Sequence, residues 1–222
     1  LNSRLRGSVE YFYKKTTDML CFVDAPNSAG YKGSYDNIGD MVNRGLEVDI
    51  SATVLKKKNI SWDVNVNATT YKNKIAKLAD ELKADLVVDG HPGYVSGDRL
   101  YAEGLPLYTW YIRRYAGLSE EGKSMWYYTD NDGNLQKTDV YATYYDCGSP
   151  HPDLYGGFGT TLSAYGFDLS VSFSYSIGGK AYDYGYASLM GVPIGTSGGC
   201  AIHKDARKAW STDNPTSDIP RW

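Results

Sequence analysis

The stretch Phe167-Asp168-Leu169-Ser170-Val171-Ser172-Phe173-Ser174-Tyr175-Ser176-Ile177 places an apolar side chain at every odd position and Asp or Ser at every even one. Successive side chains of a strand point to opposite faces, so this period of two reads as one long antiparallel strand with an oily face and a wet face. At about 11 residues it is twice the usual strand of roughly 5 to 6 and matches the roughly 9 to 11 that cross a bilayer obliquely. Just upstream, Phe158, Thr160 and Leu162 alternate with Gly159, Thr161 and Ser163, and Ala164-Tyr165-Gly166 supplies a tight reversal.

The same alternation recurs outward from this hairpin. Leu5, Gly7, Val9, Tyr11 and Tyr13 alternate with Arg6, Ser8 and Glu10, with Phe12 as the exception. Leu46, Val48, Ile50, Ala52 and Val54 alternate with Glu47, Asp49, Ser51 and Thr53, and the charged turn Lys56-Lys57-Lys58-Asn59 leads into Ile60, Trp62, Val64, Val66 and Ala68. Strands are therefore expected near 4–14, 44–55, 60–70, 157–164 and 167–177. Residues 16–43, 71–155 and 178–222 are expected to be long loops. Within the middle one, Ile75, Leu78, Ala79, Leu82 and Leu86 share a helical stripe, which reads either as a short surface helix or as irregular loop. Leu107–Tyr115 and Met125–Tyr128 read as aromatic β hairpins.

The oily faces carry no charge, whereas the opposite faces hold Arg6, Glu10, Glu47, Asp49, Asp63 and Asp168. A soluble sandwich would show the same alternation. The aromatics separate the two readings: Trp62 and Phe167 flank the tight turns, Tyr11, Tyr13 and Tyr175 lie near the opposite strand ends, and the middles are aliphatic. Two interfacial girdles around an aliphatic band are the mark of a membrane barrel. The fold class expected is all-β, an antiparallel transmembrane β-barrel portion with long extracellular loops. Its lipid-facing residues would be Leu46, Val48, Ile50, Trp62, Val64, Val66, Phe167, Leu169, Val171 and Phe173. The short turns would be periplasmic and the long connections external.

A net charge of -3 and a pI near 5.6 offer no basic footprint for nucleic acid. A mean hydropathy of -0.44 and the lack of any long apolar run exclude a membrane helix and leave a barrel untouched, since half of a barrel strand faces away from lipid. Cys21, Cys147 and Cys200 have no metal spacing, and at most one pair could bridge, with one thiol left over; the unpaired, structural reading is preferred to a bridge. The chain enters a strand by Arg4 without a leader, and Asp213–Trp222 has a loop's composition, so a fragment of a larger protein is the expectation.

No constellation of residues suggests catalysis, a metal or a cofactor. Asp130-Asn131-Asp132-Gly133-Asn134 starts like a calcium loop, but Tyr141 stands where the bidentate glutamate belongs, and a hairpin turn is the better account. His91, His151 and His203 read as solvated loop residues. Glu103, Asp146 and Asp153 show no paired spacing for glycoside hydrolysis. Lys56, Lys57 and Lys58 suit a turn at a membrane surface. Among Tyr108, Trp110, Tyr111, Trp126 and Tyr127, a ligand-stacking surface is assigned to Tyr108, Trp110, Trp126 and Tyr127, with packing inside β loops as the equal alternative.

Denser motifs point to one family. Asn37-Ile38-Gly39-Asp40-Met41-Val42-Asn43-Arg44-Gly45-Leu46-Glu47 resembles the segment entering a barrel strand of SusC/RagA-type TonB-linked outer-membrane transporters. Trp62, Asn67, Asn73, Lys74 and Ile75 look like that family's next strand, and Gly104-Leu105-Pro106-Leu107 with Gly117-Leu118 like the following glycine-bearing segment. Gly148-Ser149-Pro150-His151-Pro152-Asp153-Leu154-Tyr155-Gly156-Gly157-Phe158, then Phe167–Ser170 and Gly178-Gly179-Lys180, resemble its proline-aspartate run and hairpin. Trp210, Asn214-Pro215 and Asp218-Ile219-Pro220-Arg221 look like the loop before its last strands.

The resemblance implies a piece of a plugged barrel of roughly 22 strands, without its plug and final strands. It implies a non-enzymatic importer of oligosaccharides or oligopeptides in a Gram-negative outer membrane. It further implies a SusD-like surface lipoprotein, TonB acting through the plug, and outer-membrane lipid as partners. The rival reading is a secreted, soluble β-sandwich that binds glycans.

Overall fold

The computed structural model describes residues 4–25, 27–83, 86–140, 143–191 and 201–221. The chain divides into two compact units: Leu1–Thr109 with Gly148–Lys180, and Trp110–Cys147 with Ala181–Trp222.

The first unit is built on long antiparallel strands: β1 (Leu5–Asp24), β2 (Gly33–Lys57) and β3 (Ile60–Leu78). A single helical turn, α1 (Asp80–Lys83), leads to the short strands β4 (Leu86–Val88), β5 (His91–Ser96) and β6 (Arg99–Ala102). In the second unit β7 (Thr109–Arg113) pairs with β11 (Tyr144–Asp146), and β8 (Tyr115–Leu118), β9 (Ser124–Thr129) and β10 (Leu135–Thr138) form a meander. The chain then returns to the first unit as β12 (Leu154–Ala164) and β13 (Phe167–Ile177), and ends in the second with α2 (Tyr184–Leu189) and a 3-10 turn at Lys204–Lys208.

The main sheet has the order β1-β2-β3-β12-β13. Its register aligns the alternating residues into rows: Val9-Val48-Ala68-Gly156-Tyr175, then Gly7-Ile50-Val66-Phe158-Phe173, then Leu5-Ala52-Val64-Thr160-Val171. The intervening rows, such as Arg6-Ser51-Asn65-Gly159-Ser172, are built of polar residues and glycine. Tyr165 and Gly166 both take positive φ, the turn geometry that matches strand twist. The Tyr165 N–H donates to the Asn59 carbonyl at 3.0 Å, so both short turns lie at one end of the sheet. The β1–β2 reversal at Ala25–Lys32 lies at the other end.

Two expected loops are partly strand. Residues 16–24 and 33–43 extend the β1–β2 pair, and 71–78 extend β3 against Gly39–Gly45. Irregularities near Thr16–Leu20 and at Asp40/Met41 shift the period of two, which is why alternation fails to reveal these strands. The supposed helical stripe divides accordingly: Ile75 and Leu78 are buried strand residues, and one helical turn remains at Asp80–Lys83.

The first unit's core, Val42, Ile75, Leu78, Leu100 and Ala102, sits toward this far end. Between Leu46 and Thr70, and between Leu154 and Ile177, no apolar side chain is buried. A water-soluble domain buries the middles of its strands; this sheet buries what lies beyond them. Among the described residues no helix is long and apolar enough to cross a membrane, which says nothing of strands.

Candidate functional site

The apolar face of the main sheet carries the residues expected to meet lipid. The register places Leu46, Val48, Ile50, Trp62, Val64, Val66, Phe167, Leu169, Val171 and Phe173 on it together. Seven of them are 40% to 82% exposed, while Val48, Val64 and Val171 are half-buried by their neighbours. Two polar groups on this face already have partners. The Trp62 indole N–H donates to Thr160 Oγ1 at 2.7 Å. The Tyr175 hydroxyl reaches across Gly156 to donate to the Asn67 carbonyl at 2.9 Å. Phe158 and Phe173 stack at 4.8 Å. Hydrocarbon demands such satisfaction.

The spacing of the girdles fits a bilayer. The row Ile60-Ala164-Phe167 closes the turn end, and Tyr11-Leu46-Thr70 closes the other. From position 60 to position 70 a strand rises about 33 Å, or about 25 Å vertically at a tilt of roughly 40°, the height of a barrel's apolar band.

Beyond the girdle, several segments distant in sequence interlock. Asn73, buried, donates its amide to Asn43 Oδ1 and accepts the Leu107 N–H, both at 2.7 Å. The Ile75 N–H donates to the Leu105 carbonyl and its own carbonyl accepts the Gly104 N–H. His151 is no solvated loop residue: its Nδ1 meets the Tyr71 hydroxyl and its Nε2 the Leu107 carbonyl, each at 3.1 Å. His91 is likewise engaged, through Nδ1 to the Glu103 carbonyl at 2.7 Å, and His203 Nδ1 accepts the Asp205 N–H in the second unit.

Glu103 accepts the Leu78 N–H at 2.8 Å and pairs with Lys83 at 3.0 Å. The Leu78 N–H, more than Lys83, holds this carboxyl below the usual carboxylate range against the opposing effect of burial. Its contribution to stability is therefore present above the ordinary glutamate pKa and is lost as pH falls through the lowered one.

The four aromatics assigned to ligand stacking divide between the two units. Tyr108 belongs to the first unit, is 47% exposed, and meets Tyr101 edge-on at 5.8 Å, while Tyr101 stacks on Tyr94 at 5.0 Å. Trp110 belongs to the second unit, is 5% exposed, and packs against Tyr182. Burial makes Trp110 a packing residue. Trp126 meets Tyr115 at 5.5 Å, and Tyr127 lies beneath the Arg114 guanidinium at 5.2 Å, with Lys137 at 5.9 Å. Adjacent in β9, these two point to opposite faces.

The Asp130 carboxylate accepts the Asn134 and Asp132 N–H groups inside the β9–β10 hairpin, so it stabilises a turn. No cluster of metal-ligating side chains occurs among the described residues. Cys147 is a free thiol; the Cys21 side chain and Cys200 lie outside what is described.

The sequence profile of the family described as TonB dependent receptor-like, beta-barrel, matches residues 1–182. The chain belongs to this family. It is 29% identical to TonB-dependent receptor P26 of Formosa agariphila, over 99% of this chain and 23% of that protein. It is 26% identical to TonB-dependent receptor SusC of Bacteroides thetaiotaomicron, over 89% of this chain and 20% of that protein. A solved structure of the RagAB peptide transporter superposes on 99% of this chain, and 24% of its own, with a TM-score of 0.77 at 27% identity. The chain thus spans about a quarter of the length of the relatives it matches.

Within this TonB-dependent receptor barrel segment, the family-like motifs are the interlocking pieces themselves. Gly39 has φ 136, and a Cβ there would lie 1.8 Å from the Lys77 carbonyl oxygen. Gly45 lies beneath the Phe12 ring, which explains the one aromatic exception in the first strand. The Asp153 N–H donates to the Ile177 carbonyl and the Lys180 N–H to the Ser149 carbonyl, joining the proline-aspartate run to Gly178-Gly179-Lys180. In the second unit, Trp210 covers Gly122, and the Arg221 N–H donates to the Gly122 carbonyl.

Proposed function

We propose that this chain forms part of the membrane wall and outer surface of a TonB-energised importer. Leu46, Val48, Ile50, Trp62, Val64, Val66, Phe167, Leu169, Val171 and Phe173 face lipid, and the serine-rich face lines the lumen. The turns at Lys58-Asn59 and Tyr165-Gly166 are periplasmic. The strand ends beyond Tyr11, the interlocked 103–107 and 148–153 segments, and the second unit lie outside the cell. The observation that carries this reading is an unburied apolar face about 25 Å tall between two aromatic rows. Such a patch on a soluble protein would be an aggregation site, and nothing favours the rival sandwich.

The whole protein acts with a SusD-like lipoprotein on oligopeptides or oligosaccharides, and TonB opens it through a plug. The peptide named for the RagAB relative supports the first substrate class. Tyr108, backed by Tyr101 and Tyr94, and Trp126 and Tyr127 are external aromatics able to stack on a passing ligand, since rings give large contact area at small entropic cost. The wall itself performs no bond chemistry.

The test uses the full-length protein in its native cell. It should fractionate with the outer membrane, require detergent for extraction and co-purify with a surface lipoprotein, and uptake of labelled oligopeptides or oligosaccharides should fall to background without TonB. A protein that stays soluble without detergent and is missing from the outer membrane contradicts the proposal.

A further inference from the structure

The face that carries the apolar rows changes character just past the outer girdle. The next rows on it are Tyr13-Arg44-Lys72 and then Lys15-Val42-Lys74. They lie two and four residues beyond the Tyr11-Leu46-Thr70 row, or about 5 and 10 Å further from the bilayer centre once a tilt of roughly 40° is allowed for. The nearer row is at the depth of lipid headgroups, which add roughly 5 to 8 Å of polar layer on each side of the hydrocarbon, and the farther row stands just above it.

These residues line a cleft of about 690 Å³ in the first unit, together with Val42, Ala76, Pro106, Pro152 and Asp153. Two carboxylates stand against the four cations. Asp40 pairs with Lys15 at 2.8 Å, and Asp153 lies against Gly178. Arg44, Lys72 and Lys74 are exposed and make no ion pair among the described residues. A fork-shaped guanidinium beside two ammonium groups is suited to phosphate oxygens, and the apolar rows directly below are suited to acyl chains.

We propose that this cleft is a binding site for the phosphate of a phosphorylated glycolipid in the outer leaflet, held by Arg44, Lys72 and Lys74 with Tyr13 at its lower rim. The proposal rests on the assignment of the apolar face to lipid. It adds that the barrel is anchored at one depth and orientation by charge as well as by its girdles. Basic pockets at membrane depth recognise headgroups in this way, at roughly a fivefold change in affinity per cation.

The experiment uses the detergent-solubilised full-length receptor and three probes: phosphorylated lipid A, its dephosphorylated form and inorganic phosphate. Bound lipid is counted by native mass spectrometry. We expect phosphorylated lipid A to be retained, the dephosphorylated form to bind at least about tenfold more weakly, and millimolar inorganic phosphate not to displace the lipid. The triple variant Arg44→Gln, Lys72→Gln, Lys74→Gln should lose retention at least tenfold while its folded barrel still resists detergent. Replacing Lys56, Lys57 and Lys58 by Gln at the opposite end should change nothing.

Equal retention of both lipid forms, or unchanged retention by the triple variant, overturns the proposal. Displacement by inorganic phosphate overturns it in favour of a soluble anion. Should the triple variant fail to fold, the single exposed changes Arg44→Gln and Lys72→Gln carry the test at about fivefold each. Failure of the membrane reading itself would appear differently, as water access to the rows below.

Discussion

Val66→Arg in the full-length receptor is expected to lower folding stability in lipid by about 2 to 4 kcal/mol, whereas Asn65→Arg, one residue away, should cost less than about 0.5 kcal/mol. Val66 lies in the row Gly7-Ile50-Val66-Phe158-Phe173, midway between the two girdles, and is 45% exposed. An arginine there must carry its charge at the hydrocarbon midplane or bend toward a headgroup too far to reach comfortably. Asn65 shares its row with Ser51, Gly159 and Ser172 on the polar face, where a long cation has room and water. Denaturant titration of the receptor refolded into vesicles reads the difference. Equal penalties at the two positions would mean that the two faces meet the same medium.

Gly39→Ala should be the most damaging small change in the chain, at about 3 kcal/mol or more. Gly39 is paired on both sides, to Met19 of β1 and Leu78 of β3. Its φ of 136 is strained for any other residue, and the added methyl would sit inside the Lys77 carbonyl. The neighbours are backbone and cannot swing away, so the three strands must separate at that level. Gly30→Ala serves as the control, since φ there is also positive, at 76, but nothing lies within 4 Å; its cost should be on the order of 1 to 2 kcal/mol. The expected signature is a lower denaturant midpoint for Gly39→Ala together with protease cleavage between β1 and β2. A midpoint matching the Gly30→Ala control would show that the strands accommodate the methyl.

The contrast between these two predictions reflects what sequence could and could not reveal. Val66 is legible because alternation from Ile60 to Thr70 runs without interruption, and each side chain declares its face. Gly39 is legible only as part of a family-like motif; the need for it arises from Lys77, 38 positions away, through a β-bulge that no local pattern encodes. The same holds for residues 16–24, 33–43 and 71–78, whose strands depend on one another and on the Leu105 edge contact for their backbone partners.

His151 and Asn73 show the other limit. Neither spacing nor composition signals that His151 would join Tyr71 to Leu107, or that Asn73 would bridge Asn43 and Leu107, because each partner comes from a different segment. The nearest sequence signal was the recurrence of Asn73, Gly104–Leu107 and Gly148–Asp153 as separate motif blocks. Trp110 fails in the reverse direction. A tryptophan in an aromatic run advertises a stacking surface, yet only the fold decides that this one is enclosed beside Tyr182.

The central claim is that hydrocarbon covers the odd-numbered side chains of β13 and water the even-numbered ones. Single cysteines placed in turn at residues 169 to 174, in a cysteine-free full-length receptor, can be offered a water-soluble maleimide and a bilayer-restricted thiol probe in intact outer membranes. Replacements of Ser170, Ser172 and Ser174 should react with the aqueous reagent alone, and replacements of Leu169, Val171 and Phe173 with the lipid-borne reagent alone. Reactivity that fails to alternate, or aqueous labelling at all six positions, would contradict a membrane wall.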